Sequence, residues 1–180
     1  MPIARFVITT ITLVCLAASA AVATRAIQFR TCAQVLAEGS GSPPPLFGEL
    51  YPNIDPRYTG WMTTGVNREC FGRPPSTVVH HLRDAFGYFV LRASGVDLRL
   101  RLYAAMMVGH DGVRGLEPAA AEEFGRAPEK LNRKEVLWLL TVGERPSCSQ
   151  RADLGGQENE SCQRLLGYLK SAARKRESVW

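Results

Sequence analysis

The sequence predicts a mainly α-helical fold in a single domain of 180 residues. Three observations carry that prediction. Apolar residues recur at three- and four-residue steps in several separate stretches, the signature of a helix with one buried face. Helix start and stop signals bracket those stretches, with Ser or Asn before them and Gly after. No stretch alternates apolar and polar residues well enough to read as a strand. With 46% hydrophobic residues the chain has the composition of a globular protein with a core of useful size.

The N-terminal segment, residues 1–23, has a short positive start ending at Arg5, an apolar run from Phe6, and the small-residue site Ala21-Val22-Ala23. That pattern is an export signal cut after Ala23. Residues 6–23 are also long enough to stay as an anchor, since a span needs roughly 17–25 apolar residues. Residues 24–75 are rich in turn signals. Gly39-Ser40-Gly41-Ser42-Pro43-Pro44-Pro45 breaks any regular element, and Tyr51-Pro52, Asp55-Pro56 and Arg73-Pro74-Pro75 punctuate the rest. Only residues 33–37 read as a turn of helix. The expectation is an irregular segment held by cross-links, with Trp61, Met62 and Phe71 covering one side of the helical part.

Residues 76–180 carry the helices. Ser76 or Thr77 caps a long one that reaches Ala93, with Val78, Val79, Leu82, Ala85, Phe86, Phe89 and Val90 as its buried stripe and His80, His81, Arg83, Asp84 and Arg92 on the other side. Gly87 inside it costs ~1 kcal/mol against Ala and points to a close helix–helix approach. Asp97 caps the next, residues 98–108, whose Leu98, Leu102, Tyr103, Met106 and Met107 face inward while Arg99 and Arg101 do not. Pro118 suits the first turn of a short helix that Gly125 closes in the left-handed conformation. Asn132 and Glu135 form a capping box, with Leu131 and Val136 as its staple and Leu137, Leu139 and Leu140 turned to the core. Residues 141–156 read as a loop. The last helix runs over residues 160–176, with Leu165, Leu166, Leu169 and Ala173 on one face and a basic end that suits both the helix dipole and an anionic membrane surface.

The net charge of +5 favours acidic partners, and the absence of any binding motif or aromatic–basic interleaving argues against nucleic acid. Cys32, Cys70, Cys148 and Cys162 follow the export segment, and four cysteines in an oxidising compartment allow two disulfides in three pairings. Pairing Cys148 with Cys162 closes the shorter loop and leaves Cys32 for Cys70. Zinc is disfavoured, because no Cys-x-x-Cys occurs and no His stands at ligand spacing.

Residues 111–140 also resemble a known family. Gly112, Gly115, Glu117, Ala119, Ala120, Phe124, Gly125, Leu131, Glu135 and Leu139 match, in order, the last signature region of the biosynthetic peptidoglycan glycosyltransferases, glycosyltransferase family 51. Arg126 stands for the usual Lys and Asn132 for the usual Ser or Thr. The resemblance extends more thinly back to Ser76. There His80-His81-Leu82-Arg83-Asp84 lies on the family's R-K-x-x-E motif, while Arg101 and Ala105 replace a Glu and an Asn in the motif around Tyr103. A second register sets residues 75–82 on G-S-T-I-T-Q-Q-L instead.

The resemblance implies a lysozyme-like helical bundle, shortened, acting on or binding lipid II or glycan strands. It implies a periplasmic or secreted location, released or anchored at the outer face of the inner membrane. Asp84 falls at a functional carboxylate, a catalytic candidate; His80 and His81 fall at basic positions near the pyrophosphate, and Arg83 and Arg126 join them as substrate-binding candidates. No organic cofactor is implied, and a divalent metal is left open. The family's upstream motif E-D-x-x-F-x-x-H, whose Glu is the general base, has no counterpart in residues 24–75; Glu69-Cys70-Phe71 is the nearest. Glycan polymerisation and a non-catalytic cell-wall binding module with the same fold are therefore both expected readings. His110 beside Asp111 reads as an exposed loop pair, and Glu117 as an acid at a helix N-terminus.

Overall fold

A computed structural model describes residues 2–39, 43–107, 112, 114–144, 148 and 160–174. Helices account for almost all of it: α1 (Pro2–Glu38), α2 (Pro45–Phe71), α3 (Thr77–Ala93), α4 (Val96–Met106), α5 (Leu116–Phe124), α6 (Arg133–Glu144) and α7 (Glu160–Arg174), with one 3-10 turn at Pro128–Lys130. No strand occurs among the described residues. Two disulfides staple the bundle, Cys32–Cys70 between α1 and the end of α2, and Cys148–Cys162 onto the start of α7.

The segment expected to be irregular is helical instead. α1 continues unbroken through Ala21–Ala23 to Glu38, and α2 runs through both Pro52 and Pro56. Burial explains α2. Phe47, Leu50, Tyr51, Tyr58, Met62 and Val66 are all buried along it, an apolar stripe whose removal from water outweighs the helix-breaking cost of two prolines. Pro45 sits in the first turn, where its missing N–H is harmless. In α1, Phe29, Ala33 and Ala37 form the matching stripe, while the described side chains before Arg25 are exposed. By length and composition α1 is able to cross a membrane, a test that export signals also pass.

Asp97 does not cap α4 as expected: the helix begins at Val96 behind Gly95, with no side-chain cap bond, and Asp97 stands in its first turn, paired with Arg101 at 2.9 Å. The other caps read from the sequence are present. Ser76 Oγ accepts the Val79 amide at 3.3 Å. Gly125 closes α5 at φ 61°, its amide on the Ala121 carbonyl at 2.8 Å. Asn132 Oδ1 accepts the Glu135 amide at 3.1 Å while Glu135 Oε2 accepts the Asn132 amide at 2.8 Å. Beyond that box, residues 136–143 are all buried, and α6 runs on through Thr141, where a loop was expected, to Glu144. Tyr103 of α4 joins it to α2. Its ring lies 5.5 Å from Tyr51, 4.8 Å from Tyr58 and 6.0 Å from Trp61, and both Tyr58 and Tyr103 donate to the Leu140 carbonyl, at 3.2 and 3.5 Å.

Arg99 and the apolar stripe of α3 reverse their expected facing. Arg99 is buried, and its Nη1 donates to the Leu91 and Arg92 carbonyls at 3.0 Å each, so it satisfies the open C-terminal end of α3. α3 itself is turned over. Val78, Leu82 and Phe89, expected in the core, are 67%, 66% and 70% exposed, and Ala85 is exposed with them. The buried residues of α3 are Gly87 and Leu91. The reason is a three-helix crossing: a Cβ on Gly87 would stand 2.6 Å from the Phe29 ring and 2.7 Å from the Thr63 methyl. Only glycine lets α1 and α2 come this close to α3, as the sequence suggested.

Gly87→Leu is therefore expected to lower unfolding stability by roughly 1–3 kcal/mol despite the better helix propensity of Leu. Urea titration followed by circular dichroism measures it, and an unchanged midpoint would remove the crossing from the account.

Candidate functional site

Because α3 is turned, its polar edge meets α2. His80, Arg83, Asp84 and Gly87 follow one another at helical steps on that edge. Asp84 is the residue most firmly held. Its Oδ2 accepts the Thr64 hydroxyl at 2.7 Å and its Oδ1 accepts the Asn67 amide at 2.8 Å, while His80 Nε2 lies 3.5 Å from Oδ2. Both carboxylate oxygens are thus engaged by α2, with 22% of the side chain exposed. A carboxylate so occupied is a tie between helices. Each of its oxygens accepts one bond from α2, of the roughly two that a carboxylate oxygen can accept.

Beside this tie is a cleft of about 230 Å³. Arg68 from α2, Arg73 from the turn after it, and His80 and Arg83 from α3 line it together with Thr64 and Asn67. Arg83 Nη1 is buried and has no hydrogen-bonding partner among the described residues. A buried guanidinium N–H without an acceptor is costly, and an anionic ligand oxygen is the natural acceptor for it. Three guanidinium groups around one small cleft suit a phosphate or diphosphate, whose oxygens accept bidentate contacts. A second cleft of about 190 Å³ shares Thr64 and Arg68 with the first and adds Trp61, Met106 and the Glu69–Arg114 ion pair at 2.9 Å.

The position of the basic cleft in the bundle is set by α1. Phe71, at the end of α2, stacks on Phe29 at 6.2 Å, and the Arg25 guanidinium lies 3.7 Å from the centre of the Phe71 ring. Gly72, Arg73 and Pro74 follow directly. Three residues that line the cleft thus follow directly on the ring that Arg25 of α1 covers.

Of the residues singled out from the sequence, the structure brings His80, Arg83 and Asp84 together. His81 is exposed and outside the cleft lining, its ring 5.5 Å from that of His80. Arg126 is elsewhere, paired with Glu135 at the start of α6, where it reinforces the capping box. Glu117 stands in the first turn of α5. His110 and Asp111 lie outside the described residues. Sequence reasoning missed Arg68, Arg73, Thr64 and Asn67, because they come from a segment taken as irregular. The i, i+3 spacing from Thr64 to Asn67 and the neighbouring Arg68 was the available signal. Among the described residues no group of three or more His, Cys, Asp and Glu side chains converges as a metal site.

No family model, curated protein or solved structure matches this chain.

Asp84→Ala removes an acceptor from Thr64 and from Asn67, which is buried, and is expected to destabilise by about 1–3 kcal/mol. An exposed helical ion pair with His80 would contribute only ~0.3–0.5 kcal/mol. Chemical denaturation separates the two, and a loss at the lower figure would place Asp84 back in solvent.

Proposed function

We propose that this protein is a membrane-anchored, transglycosylase-like domain that binds the diphosphate head of a lipid-linked disaccharide at the outer membrane face without polymerising it. The observation that carries this reading is the basic cleft formed by Arg68, Arg73, His80 and Arg83 next to the emerging α1 helix. A lipid-linked diphosphate presents its charge at the height of the headgroups, and an anchored domain with guanidinium groups at that height meets it there. The ten matching positions between Gly112 and Leu139 support the family and its lysozyme-like bundle. The two disulfides support an exported domain.

Binding is preferred to polymerisation on chemical grounds. Inverting glycosyl transfer needs a general base within hydrogen-bond reach of the attacking hydroxyl. Asp84 is tied up by Thr64 and Asn67, and Glu49 is paired with Arg133 at 3.0 Å. One observation favours the enzyme as a second reading: Glu69 lines the adjoining cleft, paired with Arg114 from the loop before α5.

The test uses the full chain in nanodiscs with fluorescent lipid II. Binding is expected without strand products, and Arg83→Gln is expected to weaken it roughly 10- to 100-fold, the loss of one charge-assisted contact. Strand products that vanish in Glu69→Gln would replace this reading with the enzyme. Absence of binding to lipid II and to undecaprenyl diphosphate alike would overturn both.

A further inference from the structure

We propose that the second cleft, bounded by Trp61, Glu69 and Arg114, is a saccharide subsite that takes the pyranose bonded directly to the phosphate in the basic cleft. This rests on the basic cleft being an anion site, as proposed above. The floor of the subsite is one face of α2. Trp61, Gly65 and Glu69 stand on it at steps of four residues, about 12 Å from end to end at 1.5 Å per residue. Gly65 leaves the middle of that floor without a side chain. A Cβ there would stand 1.9 Å from the Met106 methyl, so Met106 of α4 lies directly against the α2 backbone. Arg114, from the loop before α5, closes the far end.

The two ends of the cleft differ as the surfaces of a sugar do. Trp61 is 40% exposed, and the ring of buried Tyr103 meets its indole at 6.0 Å and 65°, so the indole is held from the core side and open to the cleft. A fixed, open aromatic surface suits the C–H face of a pyranose, which is apolar although its rim is not. At the other end Arg114 Nη2 donates to Glu69 Oε1 at 2.9 Å. A guanidinium has five N–H groups and a carboxylate about four acceptor sites, so the pair retains donors and acceptors for the hydroxyls of that rim. A wholly apolar ligand would desolvate the pair without bonding to it. Thr64 and Arg68 line both clefts, so a ring in one is directly beside a phosphate in the other. A glycosyl phosphate has that connectivity, whereas a nucleotide sets a ribose between its base and its phosphate.

The test compares the affinities of the full chain, in nanodiscs, for lipid II and for undecaprenyl diphosphate, which lacks the sugars. The unaltered protein is expected to bind lipid II roughly tenfold more tightly, the contribution of one ring face buried on an indole. Trp61→Ala is expected to erase that difference and to leave binding of undecaprenyl diphosphate unchanged. Gly65→Ala is a second variant that spares the fold, because Ala is the better helix former, while its methyl forces Met106 aside and narrows the cleft. The same selective loss is expected from it. Arg83→Gln, acting on the phosphate, is expected to weaken both ligands alike. Equal affinity of the unaltered protein for the two ligands would overturn this inference and leave the diphosphate reading standing. A parallel loss of both ligands in the Trp61 and Gly65 variants would overturn it too, as the mark of a structural role. If the unaltered protein binds neither ligand, the diphosphate reading fails and this inference with it.

Discussion

The close crossing of α1, α2 and α3 at Gly87 is the constraint from which the other features descend. A helix that can bring its backbone against an aromatic ring and a threonine methyl will present its Gly87 edge inward, whatever its apolar stripe prefers. Once that edge is chosen, Asp84 must meet Thr64 and Asn67, and His80 and Arg83 must face the end of α2. The same rotation turns Val78, Leu82 and Phe89 to the outside. Basic cleft and apolar stripe are two sides of one helix orientation.

What was legible in the sequence was local. Ser76, Gly125, Asn132 and Glu135 act within a turn of themselves, so their roles follow from position alone and appear in the structure as read. α4 was legible in part, since Leu98, Leu102, Tyr103 and Met107 are buried, but Arg99 is buried too because it caps a neighbour. α2 was not legible. Its prolines and glycines spoke for turns, and the burial of its stripe, with Tyr51 and Tyr58 packed on Tyr103, makes the helix worth its local cost. Periodicity found the apolar face of α3 correctly and misassigned its cover, because period reports a face and says nothing of what lies against it.

The candidate site divides in the same way. His80, Arg83 and Asp84 share a helix edge and could be grouped from their spacing. Arg68 and Arg73 reach the cleft from α2 and the turn behind it, and that depends on the Phe29–Phe71 stack and the Cys32–Cys70 bridge. Asp84 was singled out as a catalytic candidate. Its hydrogen bonds to Thr64 and Asn67 give it a structural task between α2 and α3.

A double-mutant cycle on Asn67→Ala and Asp84→Ala tests the underlying orientation most directly, because it reads the contact between α2 and α3 itself. The account predicts a coupling energy of about 0.5–3 kcal/mol between the two positions. Additive effects of the two substitutions would mean that α3 does not show its polar edge to α2, and the cleft and the exposed stripe would both be lost with it.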